Sequence, residues 1–337
     1  YESAKKLFDE MFPESRFRKL PPDHPLFHMV VDIDTASYSC GGEKEGGKPF
    51  MEGLYIGSRI GVLVSKYGLG CGLAGEMDVF KKLEANGLKP MAYSEETARL
   101  IGENLAPYII GYGRVGEAEG KAELFGKLDE NAPTSEFIFA QVKHEGAWNA
   151  HPGAARQLLM QLEKDSAIPV SLKRVSIDLN RDDISAYPFL FFTGLDDFVL
   201  TRKQIDALRK HVNSGGTLVV NNALGLATFH QAVVREMRRA FPQSDLALLP
   251  QSHEIFRNLN SIKRVKYTPT LMKDKGEQLQ GRPVLFGAKV GGRLCLLYSP
   301  YDLEGGWNEV RYPLSRGYQS ASAKQLGCNI IMYAMEH

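Results

Sequence analysis

The chain has 337 residues, 43% hydrophobic and 24% charged, which fits two globular domains or one with a large extension and excludes disorder, collagen and a coiled-coil rod. Lys and Arg total 41 against 40 Asp and Glu, so no overall basic field marks nucleic acid or an anionic membrane as partner. No apolar run reaches the roughly 18 residues a membrane helix needs, so no span is expected. The start, Tyr1-Glu2-Ser3, is not a signal peptide, and a chain opening on Tyr reads as a processed product or a piece of something longer. Cys40, Cys71, Cys295 and Cys328 form no Cys-x-x-Cys pair and have no His at zinc spacing, so they read as scattered thiols and no metal is expected.

In chain order, the first informative feature is a repeat. Phe12-Pro13, Leu20-Pro21, His24 and Phe27 return 229 positions later as Phe241-Pro242, Leu249-Pro250, His253 and Phe256. Arg59, Ser65, Tyr67, Leu69 and Gly72 return 234 positions later as Arg293, Ser299, Tyr301, Leu303 and Gly306; Gly102, Asn104 and Tyr108 return after 225 as Gly327, Asn329 and Tyr333. Offsets that change while block order is kept are what loop insertions between fixed elements produce. Residues 1–112 therefore read as the carboxyl-terminal part of a first domain, and 136–337 as a complete second one. The second copy has residues 136–229 ahead of the matched region and the first has no counterpart to them, so a longer precursor or a retained fragment is expected to supply the strands it lacks. A degenerate half-domain packing on the complete one is the alternative. Between the copies, residues 113–135, rich in Gly, Glu and Lys, read as linker.

In the second copy, Phe137–Val142 reads as a strand, and Pro152–Lys164 as a helix with Ala155, Leu158, Leu159 and Leu162 on one face. Val170–Leu179 alternates with one slip, and the almost wholly apolar Tyr187–Phe192 reads as a central parallel strand covered on both faces. Thr201-Arg-Lys-Gln204 is a capping-box pattern, Ile205, Leu208 and Val212 form the following helix's face, and Gly215-Gly216 stops it. A strand at 217–220, a helix at 227–240, a hairpin over 284–299 turning at Gly291-Gly292 and a helix at 320–335 complete the copy. Alternation with short connections predicts an α/β fold, a doubly wound, mostly parallel sheet with helices on both faces, in two copies.

Ligands in such sheets bind beyond the carboxyl ends of the strands. That rim holds His144, Trp148, Asn149 and His151 after the first strand, Asp196 and Asp197 after the apolar strand, Asn221 and Asn222 after the next, and Tyr301, Asp302, Glu304 and Trp307 after the hairpin.

The run Tyr187-Pro-Phe-Leu-Phe-Phe-Thr-Gly194, the Leu208 to Gly216 pattern, the Phe-Pro and Leu-Pro pairs at 241 and 249, and Tyr301-Asp302-Leu303 to Trp307 together resemble domain of unknown function 4159. That resemblance implies a bacterial protein, exported or periplasmic with the cytoplasm as alternative, and a fold akin to class I glutamine amidotransferases. Such relatives set a nucleophilic Cys on a sharp strand-to-helix turn. Here the turn reads Asn221-Asn222-Ala223-Leu-Gly225, with no Cys, Ser or Thr at the elbow; Asn stands where the family commonly has acidic residues near that turn, and Gly194-Leu195 where Gly-His is common. Both departures remove titratable chemistry, so a weakened or non-catalytic domain is expected.

The remaining candidates have bland readings beside them. His144, His151 and His253 with Asp196 and Asp302 could form one acid/base or metal-binding set, though their spacing demands neither. His24 and His253 both lie in a Leu-Pro-x-x-His loop that favours bonding to backbone. Asp196-Asp197 also reads as a turn. Trp148 and Trp307 read as a sugar or peptide platform or as packing. Cys71, in a Gly-rich loop, is a weak nucleophile candidate beside Asp196 because no base is identifiable near it. Gly68-x-Gly70-x-Gly72 lacks the Lys-Ser/Thr of a phosphate loop, and no cofactor is expected. These features point to a binding or interaction module with a protein or carbohydrate partner, using His144, Trp148, Asn149, Asp196, Asn221, Asn222, Tyr301, Asp302 and Trp307. The rival readings are a glycan or peptide hydrolase and a self-associating component of an exported assembly.

Overall fold

The computed structural model describes residues 2–13, 15–40, 43–75, 82–88, 91–119, 136–276 and 280–337, and divides into units 1–116 and 117–337. Of the stretch read as linker, residues 113–119 close a long helix, and 120–135 lie outside the described residues.

The first unit runs α1 (Glu2–Met11), β1 (Phe17–Lys19), β2 (Ala36–Cys40), β3 (Glu43–Gly47), β4 (Glu52–Ile56), β5 (Arg59–Val64), α2 (Leu69–Ala74), β6 (Met91–Tyr93) and α3 (Glu95–Glu119), whose last residues, 117–119, belong to the second unit. Its strands make two antiparallel three-stranded sheets, ordered β1-β4-β5 and β3-β2-β6. Gly57, at φ +65°, supplies the left-handed residue that turns β4 into β5. The core gathers Leu20, Leu26, Phe27, Leu54, Tyr93 and Ile101, all at most 1% exposed. Asn104, fully buried, ties a loop to α3: its Oδ1 accepts the amides of Val30 and Val31, and its Nδ2 donates to the Val31 carbonyl.

The second unit runs β7 (Phe137–Val142), α4 (Ala154–Asp165), β8 (Val170–Ile177), β9 (Phe189–Gly194), α5 (Arg202–Asn213), β10 (Thr217–Asn222) and α6 (Ala227–Ala240). There follow β11 (Ala247–Leu248), β12 (Val265–Lys266), α7 (Pro269–Asp274), β13 (Gln280–Gly281), β14 (Phe286–Val290), β15 (Arg293–Ser299), α8 (Glu304–Trp307) and α9 (Ser320–Glu336). Seven strands form one sheet ordered β11-β14-β15-β10-β9-β7-β8, parallel from β15 to β8 and antiparallel at β14 and β11.

The fully buried β9 explains why the sheet is covered twice. Its period of two sends Phe189 and Phe191 into one core with residues of α4 and α9, and Leu190 and Phe192 into another with residues of α5 and α6. Thr201 and Gln204 make the expected capping box at the start of α5, and Gly215, at φ +101°, follows its end. Cys71, Cys295 and Cys328 are free thiols.

Candidate functional site

The parallel register places Thr193 beside Asn221 and Asn221 beside Ser299, so three strands deliver polar side chains to one end of the sheet. Asn221 Nδ2 donates to Thr193 Oγ1 at 3.1 Å and to Asp302 Oδ1 at 3.3 Å, while its own Oδ1 accepts the Leu303 amide at 2.9 Å. Thr193 in turn donates to Glu304 Oε2 at 2.9 Å. From the loop after β7, His151 Nε2 meets Asp302 Oδ2 at 3.2 Å, and Glu119 Oε1 lies 3.7 Å from His151 Nδ1. A second branch links Arg174 on β8 to Gln141 Oε1 at 2.6 Å and Asn149 Oδ1 at 2.8 Å.

Asp302 is the hub. It takes the Gly305 amide at 3.0 Å and the Ser315 hydroxyl at 3.3 Å as well as Asn221 and His151, and the Leu224 amide also bonds it. The close fit requires glycine at 305, where a Cβ would stand 2.4 Å from Asp302 Oδ2. Burial raises an isolated carboxyl, but His151 and these donors outweigh it and hold Asp302 below its ordinary range. Burial likewise opposes a charged imidazole, yet Asp302, Glu119 and Glu304 lift His151 to about 10. Glu304, fully buried, is raised by that burial to about 7. Asp302 and His151 are thus a buried ion pair, and Glu304 carries a proton in part at neutral pH.

In the turn from β10 into α6, Leu224 sits at φ +56° with its side chain 1% exposed. The strained position is occupied by a hydrocarbon. Gly225 beside it, at φ +68°, passes so close to Arg316 that a Cβ would lie 2.4 Å from that carbonyl.

The structure distributes the expected site residues among three settings. Asn221 and Asp302 share the buried network, and Asn149 joins it through Arg174. His144, Trp307 and Asn222 are pinned to backbone: His144 Nε2 bonds the Thr193 carbonyl at 2.7 Å with its ring stacked on Phe192, Trp307 Nε1 donates to Ala323, and Asn222 Nδ2 donates to Leu226 and Pro300. Trp148, Asp196 and Tyr301 are half-buried, with Lys143 Nζ 5.7 Å from the Trp148 ring and Lys275 Nζ 5.0 Å from that of Tyr301.

His253 does not join His144 and His151: it caps the one-turn helix 254–256, its Nδ1 accepting the Ile255 amide at 3.2 Å. Among the described residues no group of three or more His, Cys, Asp or Glu is arranged to hold a metal ion. Cys71 is half-buried in α2 of the first unit. A depression of about 470 Å³ lies along α6, edged by His230, Arg235, Arg238 and Arg239.

A family model described as domain of unknown function, DUF4159, matches residues 138–335. The chain belongs to the DUF4159 family. No curated protein matches the chain. The DUF4159 segment contains every strand that feeds the polar network, from β7 to β15. No helix among the described residues of this family member is long and apolar enough to cross a membrane.

Within the DUF4159 segment, sequence reasoning missed Thr193, Arg174, Gln141 and Ser315, and placed Glu304 on the rim without choosing it as a site residue. Glu304 had a usable signal, an acidic residue inside the otherwise apolar and glycine-rich run Leu303-Glu-Gly-Gly-Trp307. Arg174 had only its place on an alternating strand, where a long basic side chain reads as solvent-facing.

Proposed function

We propose that this DUF4159 protein is an amidotransferase-like binding module that does not catalyse. The observation that carries the reading is the filling of its strand-end site by its own side chains. Asp302 occupies the place where amide, hydroxyl and imidazolium donors converge, as a developing oxyanion would in an acyl-transfer enzyme, and Leu224 occupies the strained elbow. His151, Asp302 and Glu304 are at most 1% exposed, so the titratable groups serve one another. Recognition then falls to the rim, where Trp148 and Tyr301 offer aromatic faces with lysines against them, a chemistry suited to a carbohydrate or a protein loop.

The test pairs turnover with binding. Purified chain is assayed against amide, ester and oligosaccharide substrates, and the same oligosaccharides are titrated by calorimetry. The reading expects no turnover and binding weakened at least tenfold by Trp148→Ala or Tyr301→Ala. Turnover abolished by Cys71→Ala or Asp196→Asn in a folded protein would overturn it in favour of a hydrolase.

The same proposal includes two copies of the fold, the first partial. Support comes from bonds that recur at the offsets of the sequence repeat. His24 Nδ1 accepts the Leu26 amide at 3.2 Å, as His253 does that of Ile255. Asn329 clamps Asn260 and Ile255 as Asn104 clamps Val30 and Val31. The Phe50 amide donates to the Tyr93 hydroxyl at 3.0 Å, and that of Val284 to Tyr318 at 3.1 Å. Arg18 pairs with Gly53 across β1 and β4, and Ala247 with Gly287 across β11 and β14. At the position of Asp302 the first copy has Gly68, and at Glu304 it has Gly70; Gly68 bridges Ala92 as Asp302 bridges Gly317. On this reading the second copy alone keeps the polar hub.

A further inference from the structure

Positive charge is concentrated on α5 and α6. The two helices pack on the same side of the sheet, where Ile205, Leu208 and Val212 share a core with Phe229, Val233 and Met237. They carry seven Lys and Arg against two Asp and Glu, in a chain whose net charge is +1. The depression of about 470 Å³ along α6 lies in this field, with Val234, 37% exposed, beside Arg235, Arg238 and Arg239. A buried carboxylate positions two of these arginines. Glu236 is fully buried; its Oε2 accepts the Leu200 amide at 3.0 Å and bonds Arg239, and its Oε1 accepts Arg235 Nε at 2.7 Å. Arg235 also donates to the Phe198 carbonyl and, at 2.9 Å, to Asp197 Oδ1, while Arg239 donates to the Leu200 carbonyl at 3.4 Å. The segment they hold includes a second apolar side chain, Val199, 63% exposed. Arg235 Nη1 and Arg239 Nη2 bond no other described residue, and Arg238, exposed, makes no hydrogen bond or ion pair among the described residues.

We propose that the α6 groove docks an acidic protein segment, with an apolar side chain seated on Val234 and flanking carboxylates on Arg235, Arg238 and Arg239. Charge complementarity selects the carboxylates. Asp197, 56% exposed, already shows how one sits on Arg235, and planar guanidinium groups suit carboxylate oxygens. Because Glu236 has fixed Arg235 and Arg239 one helical turn apart, little ordering is left for a ligand to impose. The exposed valines select a segment that brings hydrocarbon with its charge, which a phosphate chain does not. Nucleic acid would also want a free ring for its bases, and the one ring lining the groove, that of His230, is stacked on Tyr298 and bonded to its hydroxyl at 2.7 Å. This surface shares no residue with the Trp148 and Tyr301 rim and stands or falls apart from it.

The probe is a fluorescent synthetic peptide, Glu-Glu-Leu-Leu-Glu-Glu, titrated against the full 337-residue protein by anisotropy at low ionic strength. The expected result is saturable binding that weakens at least tenfold in Arg238→Glu and at least tenfold when serines replace the peptide's leucines. Arg238 is exposed and bonds no described residue, so its variant keeps the fold. Lys210→Glu on α5, the same change of charge outside the groove, should alter binding less than threefold. Absence of binding overturns the proposal. Equal losses in Arg238→Glu and Lys210→Glu reduce the effect to a diffuse field, and unchanged binding of the serine peptide reduces it to bare anion attraction; either result overturns it too. An oligothymidylate that binds more tightly than the peptide and displaces it assigns the face to nucleic acid and likewise overturns the proposal.

Discussion

His24 and His253, 229 positions apart, make the same bond: each Nδ1 accepts the amide of the residue two places on, at 3.2 Å, and starts a one-turn helix. An accepting Nδ1 must be unprotonated. Burial, with a smaller push from His28, takes His24 down to about 3, so the folded state holds the neutral ring while the unfolded chain titrates near 6.5. Stability from this site is full above 6.5 and is lost as pH falls from there toward 3. The local unfolding equilibrium around Leu26 and Phe27 should shift by roughly a thousandfold across that window, from the pKa difference. Hydrogen exchange at pH 7, 5 and 4 measures it, and His24→Asn, which keeps an accepting oxygen, should flatten the dependence.

The His151 and Asp302 pair has the opposite alkaline signature. His151 is raised to about 10, so its contribution is fully present below 6.5 and is lost as pH rises through 10, whereas that of Asp302, held below its ordinary range, is lost in acid. Asp302→Gly removes one partner of a buried pair and should cost about 3 to 5 kcal/mol. It also vacates a nest of donors, so formate should restore part of the lost melting temperature at pH 7 where chloride at equal ionic strength does not.

Glu304 also loses stability as pH rises, in a lower window. Its folded value near 7 lies above the ordinary 4.5, so the native state binds the extra proton and stability declines as pH rises from 4.5 to 7. Glu304→Gln mimics the protonated side chain and should be more stable than the parent at pH 8, with little difference at pH 4.5. Denaturant unfolding at the two pH values decides it; a variant less stable at pH 8 would mean that the carboxylate is held as an anion.

Asn329 satisfies four groups at once: it accepts from the backbone and side-chain nitrogens of Asn260 and donates to the carbonyls of Ile255 and Asn260. Asn329→Ala strands buried backbone groups and should cost about 3 kcal/mol or more. Asn329→Asp should fail similarly, because a carboxylate cannot donate to the two carbonyls. Urea unfolding of both variants checks the pair.

The sheet of the second unit was legible because its strands carry their own periodicity. Phe189 to Phe192 announced a strand covered on both faces, Thr201 and Gln204 announced the start of α5, and Gly291-Gly292 announced the hairpin. Repeat spacing also singled out His24 with His253 and Asn104 with Asn329, which prove to make matching bonds. The hub was only half legible. His151 and Asp302 stood out as rim residues, but their pairing spans 151 positions and leaves no local pattern. Arg174 and Thr193 were hidden because strand alternation does not tell a solvated polar side chain from one buried against a partner on another strand.

The contact between Gly305 and Asp302 also bears on how these loops can change. A Cβ at 305 would stand 2.4 Å from Asp302 Oδ2, so a side chain there needs the carboxylate at 302 to give way. Substitutions at 302 and 305 should therefore be non-additive. A thiol placed at 305 by itself meets the Asp302 oxygen, and one placed there after Asp302→Gly does not. Mutational routes that bring a nucleophile into this loop must therefore first give up the charge at the hub.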